Sequence, residues 1–105
     1  KEGDLLIVGW GGTYGSLHSA AKQMYKDGHR VGHVHFNYLN PMPKNTEEVL
    51  SKYKKIIVCE INMGQLSFLL KARYENLEFL QYNRIQGLPF SVSDLVAKFK
   101  NILTE

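Results

Sequence analysis

Residues 4–10 read Asp-Leu-Leu-Ile-Val-Gly-Trp, and residues 55–61 read Lys-Ile-Ile-Val-Cys-Glu-Ile. Both are short apolar runs with almost no polar alternation. Such runs form strands covered on both faces, as in a parallel sheet. The segments around them follow a different period. Between residues 14 and 27, Leu17, Ala20, Ala21 and Met24 fall at i, i+3, i+4 and i+7, one stripe of an amphipathic helix. Gly28 stands just past its end, where helices take a left-handed residue. Residues 30–37 (RVGHVHFN) are rich in strand formers.

Residues 39–43 (LNPMP) form a loop, because neither proline can donate to a ladder. Asn45 with Glu48 three positions later has capping-box spacing and predicts a short helix to about Tyr53. Asn62 and Gln65 repeat that spacing before a helix to about Tyr74, with Leu66, Leu69 and Leu70 on one side. Residues 77–83 read as an edge strand, since Glu78 and Gln81 interrupt the apolar positions. Residues 86–90 form a turn with Gly87 and Pro89. Ser91 then caps a final helix that buries Leu95, Val96, Phe99 and Leu103.

The order is βαβαβαβα. Strands alternating with helices require right-handed crossovers, so the expected fold is α/β, a three-layer α/β/α sandwich around a mainly parallel sheet. The 105 residues make one domain, 1–105. A chain that is 44% hydrophobic and 22% charged is neither disordered nor collagen-like. No apolar run reaches the roughly 20 residues that span a bilayer, so no membrane partner is expected. Cys59 is the one cysteine. It can close no intrachain disulfide and points to a reducing, cytoplasmic setting. The net charge is +3; Lys52, Lys54 and Lys55 cluster, and Lys98 and Lys100 sit near the end. Neither a basic patch interleaved with aromatics nor one placed on a recognition helix is clear, which leaves solvated faces rather than a nucleic-acid site. The opening Lys1-Glu2-Gly3-Asp4 carries no initiator Met and no signal peptide, so the domain is expected to be excised from a longer polypeptide.

Four features could carry chemistry. The turn at residues 9–16 (GWGGTYGS) lies between the first strand and first helix, where a dinucleotide fingerprint would sit. Its third glycine is replaced by Tyr14, and no acidic residue ends the next strand, where Phe36 and Asn37 stand. An anion- or nucleotide-binding module using this turn is the alternative reading; the other is a tight turn that lets helix and neighbour approach closely. His33 and His35 are two apart on one strand and share a face. They make half of a metal site without further ligands, so hydrogen bonding to helix, loop or partner groups is expected instead. His18 and His29 read as helix-surface and helix-end residues. Cys59, inside an apolar strand, is core with a raised thiol pKa. Glu60 lacks a paired carboxylate, and Ser16 lacks the Gly-x-Ser-x-Gly elbow. The loops at residues 9–16, 37–43 and 60–65 should meet at the carboxyl edge of the sheet, where ligands and partners gather.

The runs DLLIVGWGGTYG, HVHFNYLNPMP, IIVCEINMGQLSFLLKARY and NRIQGLPF together resemble the C-terminal, transketolase C-terminal-like domain of the alpha subunit of 2-oxoacid:ferredoxin oxidoreductases, most closely the 2-oxoglutarate type. Asn62-Met63-Gly64-Gln65-Leu66 is the most specific run. Leu88 departs from the lysine common in the family, and Cys59 stands where proline or another small residue is expected. The resemblance implies an enzyme that decarboxylates a 2-oxoacid on thiamine diphosphate with magnesium. It passes electrons through an iron–sulfur cluster to ferredoxin and leaves an acyl-coenzyme A. It also implies that the cofactors sit outside this domain, between other alpha-subunit domains and the beta subunit. In that fold a further antiparallel strand precedes the first strand, and without it a sheet edge would be bare. The domain itself is then an assembly piece, inactive alone, with no catalytic, cofactor-binding or metal residue of its own and with exposed apolar surface expected around Trp10, Tyr14, Tyr38, Leu39 and Met42. Gly11, Gly12, Thr13 and Tyr14, and Asn62, Met63, Gly64 and Gln65, are the contact loops carried over. Another thiamine enzyme, of the transketolase or pyruvate dehydrogenase beta type, is the alternative parent; it should lack the Asn-Met-Gly-Gln run.

Overall fold

The computed structural model describes residues 2–37, 44–61, 65–84 and 90–104. The elements are strand β1 (Gly3–Trp10), a 3₁₀ turn (Gly11–Thr13), helix α1 (Tyr14–Lys26), β2 (Val31–Phe36), α2 (Thr46–Leu50), β3 (Tyr53–Ile61), α3 (Gln65–Arg73), β4 (Leu80–Arg84) and α4 (Val92–Leu103). The strands form one parallel sheet in the order β2-β1-β3-β4. The fold is the expected α/β sandwich with its βαβαβαβα order.

Period-two alternation along the central strands builds two separate cores. Leu5, Ile7, Ile57 and Cys59 face α1 and α4, where they meet Leu17, Met24, Leu95 and Phe99. Leu6, Val8, Ile56 and Val58 face the other way, towards Leu50, Leu66 and Leu70 of α2 and α3. Each of these strand residues is at most 4% exposed. At about 25 cal/mol per Å² of apolar surface, these double-sided strands supply most of the drive to fold.

The chain leaves β1 for β2 in one direction and later returns to β3 on the opposite side of β1. The strand order therefore reverses between the carboxyl ends of β1 and β3. In open parallel sheets a crevice opens at that point.

Several boundaries differ from the sequence reading. Asn45 does not cap α2: its backbone is not extended (φ −89°, ψ 11°) and its side chain makes no capping bond. The helix stops at Leu50, and β3 begins at Tyr53, because Gly3 pairs with Tyr53 and the Glu2 and Gly3 amides donate to the Lys52 carbonyl. The last strand starts at Leu80 rather than 77. Tyr74 and Phe79 are buried in the core, and the Leu77 amide donates to the Tyr74 carbonyl at 3.1 Å, making residues 74–77 a turn. On α3, Leu69 is exposed and Ser67 is buried in its place. At the end of α1, Gly28 takes φ 91°, and Ser91 caps α4 through the Asp94 amide as expected. Ile102 joins the buried face of α4, while Val96 and Leu103 pack at its margin.

A side chain lies across the amino end of the sheet. The Tyr53 ring occupies the space where Cβ atoms at Gly3 on β1 and Gly32 on β2 would stand. Glycine on two neighbouring strands makes room for a phenol on a third position of the sheet.

Candidate functional site

The carboxyl ends of β1 and β3 bring Trp10 and Glu60 together. Trp10 is extended and ends its strand, and Gly11 then turns the chain at φ 65°, a left-handed value that favours glycine. The Thr13 hydroxyl donates to the Trp10 carbonyl at 3.1 Å and locks the 3₁₀ turn. Gly9 allows this packing, since a Cβ there would collide with the Leu17 side chain and stand 2.8 Å from Thr13 Oγ1.

Glu60 is 1% exposed and is the one charged residue buried among the described residues. Three donors satisfy it. The Trp10 indole Nε1–H donates to Oε1 at 3.0 Å. The Leu66 amide donates to Oε1 at 2.7 Å and the Ser67 amide to Oε2 at 3.0 Å. Helices begin with amides that lack internal acceptors, and their amino ends carry partial positive charge. A carboxylate delivered from the preceding strand meets both needs with charge-assisted bonds. The sequence reading missed this role. The signal was present in Glu60 itself, an acidic residue closing an otherwise apolar strand, directly ahead of a helix.

Of the expected contact residues, Gly11 and Gly12 are exposed, Thr13 is buried with its hydroxyl turned inward, and Gln65 opens α3 on the surface. Tyr14 is 52% exposed. Asn62, Met63 and Gly64 lie outside the described residues, as do Tyr38, Leu39 and Met42 of the neighbouring loop.

The histidines gather around Tyr14. Its ring stacks on His18 with centroids 5.3 Å apart and planes at 11°, lies 5.6 Å from His33 at 30°, and meets His35 edge-on at 5.2 Å. His33 and His35 do share a face of β2. The hydrogen bonds expected of them are absent among the described residues: His33 Nε2 and His35 Nδ1 are buried without a partner. The groups opposite them are aromatic rings, which offer packing rather than acceptors. Burial, then the nearby His35 and His18, push the His33 imidazole down to about 4. Among the described residues, no three His, Cys, Asp or Glu side chains converge to hold a metal ion. Cys59 is fully buried, and burial, then the Glu60 charge, push its thiol up to about 12.

Two apolar side chains of α3 are uncovered: Phe68 is 71% and Leu69 is 38% exposed. Leu66 and Leu70 are fully buried, so α3 carries apolar side chains on its uncovered side as well as against the sheet, beside exposed Gln65, Lys71 and Arg73.

Comparison with known proteins gives a consistent answer. The family described as pyruvate:ferredoxin oxidoreductase core domain II matches residues 3–95. The 2-oxoglutarate oxidoreductase subunit KorA of Mycobacterium tuberculosis (strain ATCC 25618 / H37Rv) is 35% identical over 98 residues, which are 93% of this chain and 15% of that protein. The solved 2-oxoglutarate:ferredoxin oxidoreductase from Magnetococcus marinus, with 2-oxoglutarate, coenzyme A and succinyl-CoA bound, superposes with a TM-score of 0.89 at 31% identity. The superposition covers 97% of this chain and 18% of that one. The chain thus spans less than a fifth of the relatives it matches.

Proposed function

The chain belongs to the pyruvate:ferredoxin oxidoreductase core domain II family, and on that premise we propose that it is an assembly domain of a 2-oxoglutarate:ferredoxin oxidoreductase. The parent enzyme, in this proposal, decarboxylates a 2-oxoacid on thiamine diphosphate and magnesium, reduces ferredoxin through an iron–sulfur cluster and releases an acyl-coenzyme A. The partners of this domain are the remaining domains of the alpha subunit and the beta subunit. The setting is the cytoplasm; no helix among the described residues is long and apolar enough to cross a membrane.

The described residues do not fit the cofactors themselves. A diphosphate needs free amide donors, and those of Leu66 and Ser67 are taken by the Glu60 carboxylate, which also repels an anion. The single thiol, Cys59, is sealed in the core. No catalytic step is therefore assigned to this domain.

The observation that carries the assembly reading is the uncovered apolar surface of α3 at Phe68 and Leu69. It is accompanied by exposed Tyr14 and by the edge of β2, which pairs with no further strand among the described residues and is half-buried from Val31 to His35. Bare edges of this kind are normally covered, and the family resemblance implies a further strand that would cover one edge of the sheet. The test is assembly of the full-length enzyme carrying Phe68→Asp, followed by sedimentation. Loss of the assembled species with a folded alpha subunit is expected; full assembly with unchanged turnover overturns the reading.

A further inference from the structure

We propose that Glu60 is the positioning residue that fixes the Gly11–Thr13 turn relative to the start of α3. This rests on reading those two loops as contact surfaces. A serine or asparagine after β3 could cap α3 without burying a charge, and burying a carboxylate is costly unless it is fully hydrogen-bonded. What a local cap cannot do is reach across to β1. The Glu60 carboxylate does so: Oε1 accepts both the Leu66 amide of α3 and the indole N–H of Trp10, 50 residues away in sequence. Trp10 is the residue from which the 3₁₀ turn departs, and Thr13 is tied back to its carbonyl. Turn and helix are thereby joined through one shared oxygen atom, across the place where the strand order reverses. Displacing either partner displaces the other.

Hydrogen exchange on the full-length protein tests this. Trp10→Phe keeps a ring in place and removes only the donor, leaving the α3 cap intact. The expected result is about tenfold faster exchange at the amides of residues 17–19, which bond into the turn and the first turn of α1, with the Leu66 and Ser67 amides unchanged. Glu60→Gln is expected to accelerate both groups. A residue that merely caps α3 would leave residues 17–19 unmoved in both variants, and that result overturns the inference. If Glu60→Gln does not fold, Trp10→Phe decides alone. Sedimentation of the same Trp10→Phe protein separates the two readings. Faster exchange with full assembly keeps the positioning role and removes the contact surface at the turn. Unchanged exchange with lost assembly does the reverse.

Discussion

The Ser16 hydroxyl donates to the Phe90 carbonyl at 3.0 Å, joining residues 74 apart in sequence. Ser16 lies in the first turn of α1, and Phe90 is buried beside Tyr82 just ahead of α4. The bond therefore docks the two helices that share one face of the sheet. Ser16→Ala leaves a partly buried carbonyl without this donor and is expected to cost about 1 kcal/mol. Urea unfolding should show a lower midpoint at an unchanged slope. An unchanged midpoint would mean that water replaces the hydroxyl at no loss.

Stability should fall in mild acid because of His33. Its ordinary value is 6.5, and in the fold it is held down to about 4 by burial and by His35 and His18. Between those values the unfolded chain binds more protons than the folded one. This contribution is thus complete above pH 6.5 and is lost as the pH falls towards 4; the full shift would be worth about 3 kcal/mol, and solvent screening of the half-buried ring reduces it to about 1 to 2 kcal/mol. Unfolding free energies measured between pH 4 and 7.5 check the slope. His33→Phe, which keeps a ring beside Tyr14 and removes the titrating group, should flatten it.

Cys59 should resist alkylation in the folded chain. Its side chain is fully buried and its thiol is pushed up to about 12, and the thiolate is the reactive form. Iodoacetamide at pH 8 is expected to label it only after denaturant is added. Rapid labelling of the native protein, followed by mass spectrometry, would show that the β3 core opens.

Phe99 is the largest fully buried side chain of the α1–α4 face. Phe99→Ala removes a ring from a closed core and is expected to destabilise by about 3 to 5 kcal/mol. Thermal unfolding by circular dichroism reads this directly, and a loss below 1 kcal/mol would contradict the packing described.

The strands with continuous apolar runs were legible because burial on both faces leaves no room for polar alternation; β1 and β3 follow that rule. The helix period was equally plain in α1, where Leu17, Ala20, Ala21 and Met24 are all buried. It misled in α3. Phe68, Leu69 and Leu70 stand in a row there, so apolar side chains project on more than one side and the period alone does not tell which side faces the sheet. The Gly11–Thr13 turn and the start of α3 could be placed at the carboxyl edge of the sheet from element order alone. The Glu60–Trp10 bond could not, because local spacing offers Asn62 as a cap and says nothing about a carboxylate reaching backwards from a strand. For His33 and His35 the shared face followed from period two. Their lack of hydrogen-bond partners depends on Tyr14 folding back over them, which only the tertiary packing decides.

The slot that holds Tyr53 has an evolutionary consequence. Positions 3, 32 and 53 come from three different strands, yet a methyl group added at either glycine would strike the phenol. These sites are therefore coupled. Alanine at 3 or 32 requires the Tyr53 ring to move or residue 53 to become smaller, so the three are expected to change together.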